Sequence, residues 1–426
     1  MSSQKDLSDH SGNQDNFEKV RLGDICQINP DSVNDEEFEY TDIKYLTIGN
    51  AGTGVISEID EHEISEAPSR AQRWVKSGDT VISRVRPGRK QYVYMKDPPE
   101  NMVVSSGFVV IRPNNPETLL PRYVYYATTS PEFIEYLEVN ATGSAYPSTN
   151  ISEVRKAEIP VPSTEVQEEI VETLGSIDDK IENNQRMNNQ LGGLSQLVFR
   201  NWFINFGPFA DSNMVHHESL GQDIPSDWDV IEMSEIARIV DCLHSKKPDR
   251  QEEGNFYIEV NDIGENGELY LNDKYLISEE DYDQWTKRIT AKPGDVIISK
   301  DGRVGAVAQI PRGVEGAIGR NIVCIRPDSD RLSPQFLREY MLSPLMRQEI
   351  GEKTLSRSIF ETLHVSEIED LRVLLPPKDV RKKFDNIVDP IHNLIESNIK
   401  EIMDLRELRD HLHPHLISGN IGLTSE

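Results

Sequence analysis

Two stretches of this chain place apolar side chains three or four residues apart over many turns. In the first, Ile170, Leu174, Ile177, Ile181, Asn184, Asn188, Leu191, Leu194 and Val198 share one helical face; in the second, Phe384, Ile387, Ile391, Leu394, Asn398, Ile402, Leu405, Leu408 and Leu412 do. This period predicts two long amphipathic helices. Pro162 and Pro376-Pro377 lie just ahead of them, where a strand ends and a helix begins. The rest is short β-branched or aromatic runs broken by Gly, Pro and Asn, such as Ile43–Ile48, Thr80–Ser83, Gln91–Tyr94 and Gly107–Ile111, which predict strands and turns. One further helix is predicted over Arg122–Val139.

The pattern occurs twice. Lys76-Ser77-Gly78-Asp79 returns as Lys292-Pro293-Gly294-Asp295 at an offset of 216, Val110–Pro113 as Cys324–Pro327 at 214, and Ile181–Asn184 as Ile395–Asn398 at 214. A period this long is no solenoid; it is a tandem duplication of a two-part unit. The expected class is α+β: two pseudo-symmetric domains of mixed β and helix, separated by a long antiparallel two-helix coiled coil in which each helix buries the other's seam. The expected divisions are a disordered tail at 1–16, a first domain at 17–162, a central helix region at 163–206, a linker at 207–226, a second domain at 227–376 and a C-terminal helix region at 377–423. Asn184 and Asn398 are equivalent seam positions. They are expected to face each other near a pseudo-two-fold axis and fix register, the other reading being two exposed amides.

Charge sharpens the picture. The 426 residues carry 45 basic against 73 acidic side chains, a formal net charge of −28. On average that opposes nucleic-acid binding, which Lys and Arg drive by releasing counterions; it also suits solubility or high working salt. The positive residues, however, are concentrated. From Arg70 to Lys96 there are eight cations and one acid, Asp79; from Lys287 to Arg326 there are eight cations and three acids. Two basic islands at the same place in each repeat point to a polyanion, although a charge run can be merely a solvated face. Ser83–Tyr92 reads as a strand end, a Pro-Gly turn and a new strand, holding Arg and Gln where they can reach guanine and adenine edges. Ser299–Gly305 keeps the turn and changes the side chains, as two readers of different sequences would.

Catalytic signatures are missing. There is no GxxxxGK[ST] loop and no GxGxxG in order, and Asp97-Pro98-Pro99-Glu100 lacks the aromatic of an amino-methyltransferase motif. His216-His217 and His411, His413 and His415 have no zinc spacing, so no metal site is expected. Three cysteines without a CxxC, no apolar run of about 18 residues and a polar start suggest the reducing cytoplasm and no membrane.

Gln167–Asn184 and Leu197–Phe206 resemble the central conserved region of the DNA-specificity subunit of type I restriction-modification systems, and Leu416–Ile421 resembles its closing segment. The resemblance covers about Phe17 to Leu423. It implies two target-recognition domains, each reading one half of a bipartite DNA target, with the helices as spacer and docking scaffold. It also implies two methylation subunits carrying S-adenosylmethionine and two restriction subunits using ATP and Mg, with no cofactor on this chain, which would be non-catalytic by itself. The DNA-contacting candidates in the first domain are Arg70, Arg73, Arg84, Arg86, Arg89, Lys90, Gln91 and Tyr92. In the second they are Lys287, Arg288, Lys300, Arg303, Arg320 and Asn321. In this family the segment before each domain's last strand also approaches DNA, which adds Ser144, Tyr146 and Ser148, and Ser356 and Arg357. Trp202, Phe203 and Phe206 would form a subunit-docking patch, or else be buried against their own domain. The alternatives are a nuclease acting alone, a stand-alone DNA-binding protein and a purely structural coiled-coil protein.

Overall fold

The computed structural model describes residues 17–264, 266–271, 274–355 and 362–420. The chain forms two compact units: one ends at Lys180 and resumes at Leu405, the other is Ile181–Asp404.

In the first unit, strands Cys26–Ile28, Phe108–Pro113, Thr80–Ser83 and Tyr92–Tyr94 form a four-stranded antiparallel sheet in that order. Its side chains alternate between two cores. Ile82, Val109 and Ile111 pack with Leu22, Tyr123 and Tyr126, while Val81, Val93, Phe108 and Val110 pack with Leu46, Met102 and Val104. A strand covered on both faces must be apolar throughout, which is why these runs read as continuous hydrophobic stretches. A five-stranded sheet lies beside it, in the order Asp31–Ser32, Ala71–Trp74, Met102–Ser105, Asp42–Leu46, Asp60–Glu63.

The second unit repeats the four-stranded sheet with Ala237–Asp241, Ile322–Pro327, Val296–Ser299 and Val307–Gln309. The alternation is the same: Val296, Ile298, Val323 and Ile325 face one core, Ile297, Ala308, Ile322 and Cys324 the other.

The repeated Lys-x-Gly-Asp motif is a turn with a specific job. Gly78 and Gly294 have φ of +88° and +89°, which glycine adopts at little cost. The following carboxylate reaches back to accept the backbone N–H of Lys76 or Lys292, each at 2.8 Å. The same carboxylate then takes a two-pronged bond from an arginine on the neighbouring strand: Arg112 to Asp79 at 2.6 and 2.7 Å, and Arg326 to Asp295 at 2.8 and 2.6 Å. Arg112 and Arg326 are therefore structural.

The helix predicted over Arg122–Val139 is two helices, Pro121–Thr129 and Pro131–Val139. Pro131 has no N–H for the preceding turn, and the Ser130 hydroxyl caps the new helix by accepting from the Phe133 N–H at 3.3 Å. The second unit breaks identically, between Pro334–Met341 and Pro344–Leu355.

The long helices, Thr164–Phe203 and Lys378–Ile417, have 40 residues each. Within the second unit they run antiparallel. Asn398 Nδ2 donates to Asn188 Oδ1 at 2.8 Å, Asn184 Nδ2 donates to Glu401 Oε2 at 2.8 Å, and Ser195 Oγ meets His392 Nε2 at 3.3 Å. Asn184 and Asn398 are both buried in the seam, but they do not face each other. The register brings repeat counterparts together near Arg186 and Lys400, two positions further along. Within the first unit the pairing is Arg409 to Asp178 at 3.0 Å. The buried face also departs from the predicted stripe, since Leu194, Ile387, Leu394 and Leu408 are exposed while Ser195 and His392 are inside.

The stretch 207–226 is a short 3-10 turn, Gly207–Phe209, followed by a hairpin of Met214–His217 with Gln222–Pro225. The fold is thus α+β, with paired long helices and two mixed domains that share the four-stranded sheet, the second sheet having five strands in the first unit and three in the second, Leu276–Ile277, Asn255–Ile258 and Ala317–Ile318. Among the described residues no helix is long and apolar enough to cross a membrane.

Candidate nucleic-acid interface

In the first unit the central strand Thr80–Ser83 runs out into the basic turn. Arg84 is still tied to the sheet margin: its N–H donates to Gly107 O at 3.0 Å and its carbonyl accepts from Thr149 N–H at 2.9 Å. Then the chain twists sharply. Arg86 and Lys90 adopt left-handed φ of +50° and +53°, flanking a 3-10 turn at Pro87–Arg89. Such conformations cost on the order of 1–3 kcal/mol each for residues with a Cβ. They are held by a second loop, because the Arg86 N–H donates to Pro147 O at 2.8 Å and its guanidinium to Ala145 O at 2.8 Å. The same guanidinium lies 4.6 Å from the centre of the Tyr146 ring. Tyr146 is 71% exposed, an unusual place for an aromatic that packs on nothing larger. The turn at 84–90 and the loop at 143–148 are therefore one surface, which joins two of the segments singled out in the sequence.

The basic island divides by function. Lys76 is paired with Asp31 at 3.1 Å and Lys96 with Asp179 at 3.2 Å. Arg70, Arg73, Arg84, Arg86, Arg89 and Lys90 have no ion-pair partner among the described residues. Ser144 is exposed beside them, and Ser148 is half-buried in a two-residue strand against Thr142. Two candidates move inward. Tyr92 is core: its ring packs edge-on to Tyr125 at 6.0 Å, and burial pushes its hydroxyl up to about 12. Gln91 donates its amide to Ile48 O at 2.8 Å and Ala51 O at 3.3 Å, so its donors support the loop and are not free for a base edge.

The second unit is built differently. Lys300, the counterpart of Arg84, is 9% exposed, and its Nζ bonds both oxygens of Asp241 at 2.8 and 2.9 Å. Lys300 is thus a buried structural cation, and burial explains why counting charges along the chain overstated this island. Asn321 is a turn residue at φ +68° whose carbonyl accepts the Lys300 N–H at 2.8 Å. Arg288 donates to Cys242 O at 3.0 Å and Arg303 to Ile263 O at 2.7 Å, both from exposed side chains. Lys287 and Arg320 are exposed. Ser356 and Arg357 lie outside the described residues. One cluster was passed over: Lys247 stands 3.8 Å from the Tyr275 ring centre and Arg250 5.7 Å from it, with Lys274 near Phe256 at 5.9 Å. The signal was the short run Lys246-Lys247-Pro248-Asp249-Arg250, hidden by acids on either side. Lys247 is also paired with Glu259 at 2.6 Å.

Asp241, Cys242 and His244 bring ligand atoms within 4.8 Å of one another. The geometry favours protein partners, since Asp241 already binds Lys300 and His244 and burial pushes the Cys242 thiol up.

The aromatic trio is not a surface patch. Phe203 and Phe206 are buried, and Trp202 packs against Phe203, Phe209 and Phe384 at 5.9–6.1 Å. These rings close the core of the second unit, because a helix ending in Phe199, Trp202 and Phe203, with Phe206 just beyond it, must cover its apolar side.

Residues 14–192 match the family described as the type I restriction modification DNA specificity domain. The chain is 27% identical to the type I restriction enzyme MjaIX specificity subunit of Methanocaldococcus jannaschii, over 98% of this chain and 92% of that protein. It is 22% identical to the HindI specificity subunit of Haemophilus influenzae, over 90% and 95% respectively. A crystal structure of the type I restriction-modification S subunit from M. genitalium shares the fold, with a TM-score of 0.51 at 17% identity over 97% of this chain and 98% of that one.

Proposed function

We propose, for a chain that belongs to the type I restriction-modification specificity family, that each recognition domain reads one half of a bipartite DNA target. The long helices act as spacer and as docking scaffold for two methylation and two restriction subunits. Those partners bring S-adenosylmethionine, ATP and Mg; this chain contributes recognition and no catalytic group, and it works in the cytoplasm.

The observation that carries the reading is Arg86, fixed between Ala145 O and the Tyr146 ring on a turn whose cations lack internal counter-ions. A guanidinium held in one orientation can form a two-pronged contact with guanine, and a pre-set side chain loses less freedom on binding. The neighbouring cations supply the phosphate contacts that fix register on the duplex. With a net charge of −28 over the whole chain, the acidic surface away from these turns disfavours non-specific contact, so binding concentrates at them.

Methylation mapping of cells with and without the gene is expected to show the loss of one split motif. Within that motif, Arg86→Ala should relax preference in one half-site by about 1–3 kcal/mol, leaving the other half unchanged. An equal loss of affinity for every DNA sequence would make Arg86 a phosphate contact instead, and an unchanged methylome would remove the specificity reading.

A further inference from the structure

The two domains differ most sharply at the end of the central strand. In the second, Lys300 donates its N–H to Asn321 O; in the first, Arg84 donates to Gly107 O in the same hairpin position. The strand registers also align Pro113 with Pro327, which pair with Cys26 and Ala237. Pairing in the first domain ends at Ile28 and Asn29 turns left-handed at φ +54°, and by sequence count Pro30 falls where the second domain has Asp241. The carboxylate that neutralises Lys300 therefore has no equivalent beside Arg84. The backbone bonds from Val75 to Met102 and from Ala291 to Gly316 align a third pair, Arg73 with the buried Ile289. Where the second domain has an apolar side chain, an amine and a carboxylate, the first has a proline and two guanidiniums.

Among the described residues nothing compensates. Arg84 makes only long contacts, Nε to Ser106 O and one terminal nitrogen to Thr149 O, both at 3.4 Å. The Arg73 Nε is buried with no acceptor. Burial, and then the charge of Arg84, both disfavour the Arg73 cation. Like charges side by side with an unfilled buried donor favour an anion that joins them. We propose that Arg73 and Arg84 form an anion site that holds one phosphodiester of the DNA backbone, taking the part that Asp241 plays for Lys300 in the second domain.

This rests on the DNA-reading function and assigns a role within it: Arg73 and Arg84 hold the backbone, while Arg86 and Tyr146 face the bases. The ligand chemistry is a phosphate oxygen, so free phosphate is the other source.

The test measures affinity of the full-length chain for random-sequence and target duplexes across a range of salt. It compares the parent with Arg73→Ile and with the double variant Pro30→Asp/Arg84→Lys, which rebuilds the second domain's ion pair. For each variant the slope of log K against log salt is expected to become shallower by about 0.9, the release expected for one phosphate contact, with the same fold-loss for all duplexes. An unchanged slope in folded protein, or a loss confined to one sequence, would overturn the proposal. Should either variant melt early by circular dichroism, Arg84→Gln replaces it. If the parent binds no duplex, the DNA reading fails, and ³¹P line broadening of inorganic phosphate decides the site separately. Broadening by the parent that the variants abolish would leave an anion site for free phosphate; equal broadening, or none, would end it.

Discussion

Phe203→Ala is expected to destabilise the second domain by about 3–5 kcal/mol, as the loss of a large buried ring does. Phe203 is fully buried, and its ring lies 5.0 Å from Phe199, 4.9 Å from Phe384, 5.0 Å from Phe336 and 5.7 Å from Trp228. With Trp202 at 6.0 Å, five aromatic neighbours surround the ring and cannot all move into the space it leaves, so most of the volume remains a cavity. Denaturant unfolding followed through the tryptophans measures it, with Trp202→Ala as a milder comparison because Trp202 is only partly buried. A cost near zero for Phe203→Ala would restore the docking role that the sequence left open. A large cost means that partner subunits, if they use this region, must bind a surface this ring supports rather than the ring itself.

The duplication was legible because backbone requirements are strict. A turn that needs φ near +90° writes a glycine at the same place twice, and the carboxylate that closes it writes an aspartate next to it. Strands covered on both faces likewise leave unbroken apolar runs. The inside of the helix pair was harder. Leu194, Ile387, Leu394 and Leu408 fit the stripe yet are exposed, while Ser195 and His392, which lie off it, are buried with the stripe's own Asn188 and Asn398. Polar groups can go inside only if they find one another, and the matches Asn188 with Asn398 and Ser195 with His392 link residues about 200 positions apart. No periodicity within one helix contains that information. The predicted meeting of Asn184 with Asn398 failed by about one helical turn for the same reason: equivalence under the repeat fixes where an axis could lie, but the side chains on both helices choose the register.

Charge showed the same divide. Both islands were visible as runs of Lys and Arg, but a linear count cannot tell a cation that faces solvent from one already paired. Lys76, Arg326 and Lys300 proved to be internal counter-ions, whereas Arg70, Arg84 and Arg89 did not. At the end of the central strand the two domains differ at three aligned positions, Pro30, Arg73 and Arg84 against Asp241, Ile289 and Lys300, a difference that shows only once the two domains are aligned.

Removing the Glu339 carboxylate should be as damaging as losing Phe203, for an electrostatic reason. Glu339 is fully buried, paired with the nearly buried Arg338 and lying 3.1 Å from His392 Nε2, and Gln196 Nε2 donates to its carbonyl at 3.0 Å. Burial pushes its pKa up, but Arg338, His392 and Gln196 outweigh that and hold it below the usual carboxylate value. Glu339→Ala leaves a guanidinium buried without its partner, for which about 3–5 kcal/mol is expected. The pH dependence follows from the direction of the shift. Because the folded value is depressed, the carboxylate contributes stability fully above its unfolded pKa of about 4.3. That contribution is lost as pH falls below this value toward the lower folded one, since the unfolded chain binds the proton first. Unfolding free energies measured from neutral pH down through this window should therefore decline more steeply for the parent than for Glu339→Ala. Parallel profiles would mean an unshifted pKa, and a parent that declines less steeply than Glu339→Ala would mean that the carboxylate is already protonated in the folded domain. In that event Arg338 must find its compensation in the Asn266 carbonyl, to which its other terminal nitrogen donates at 2.7 Å.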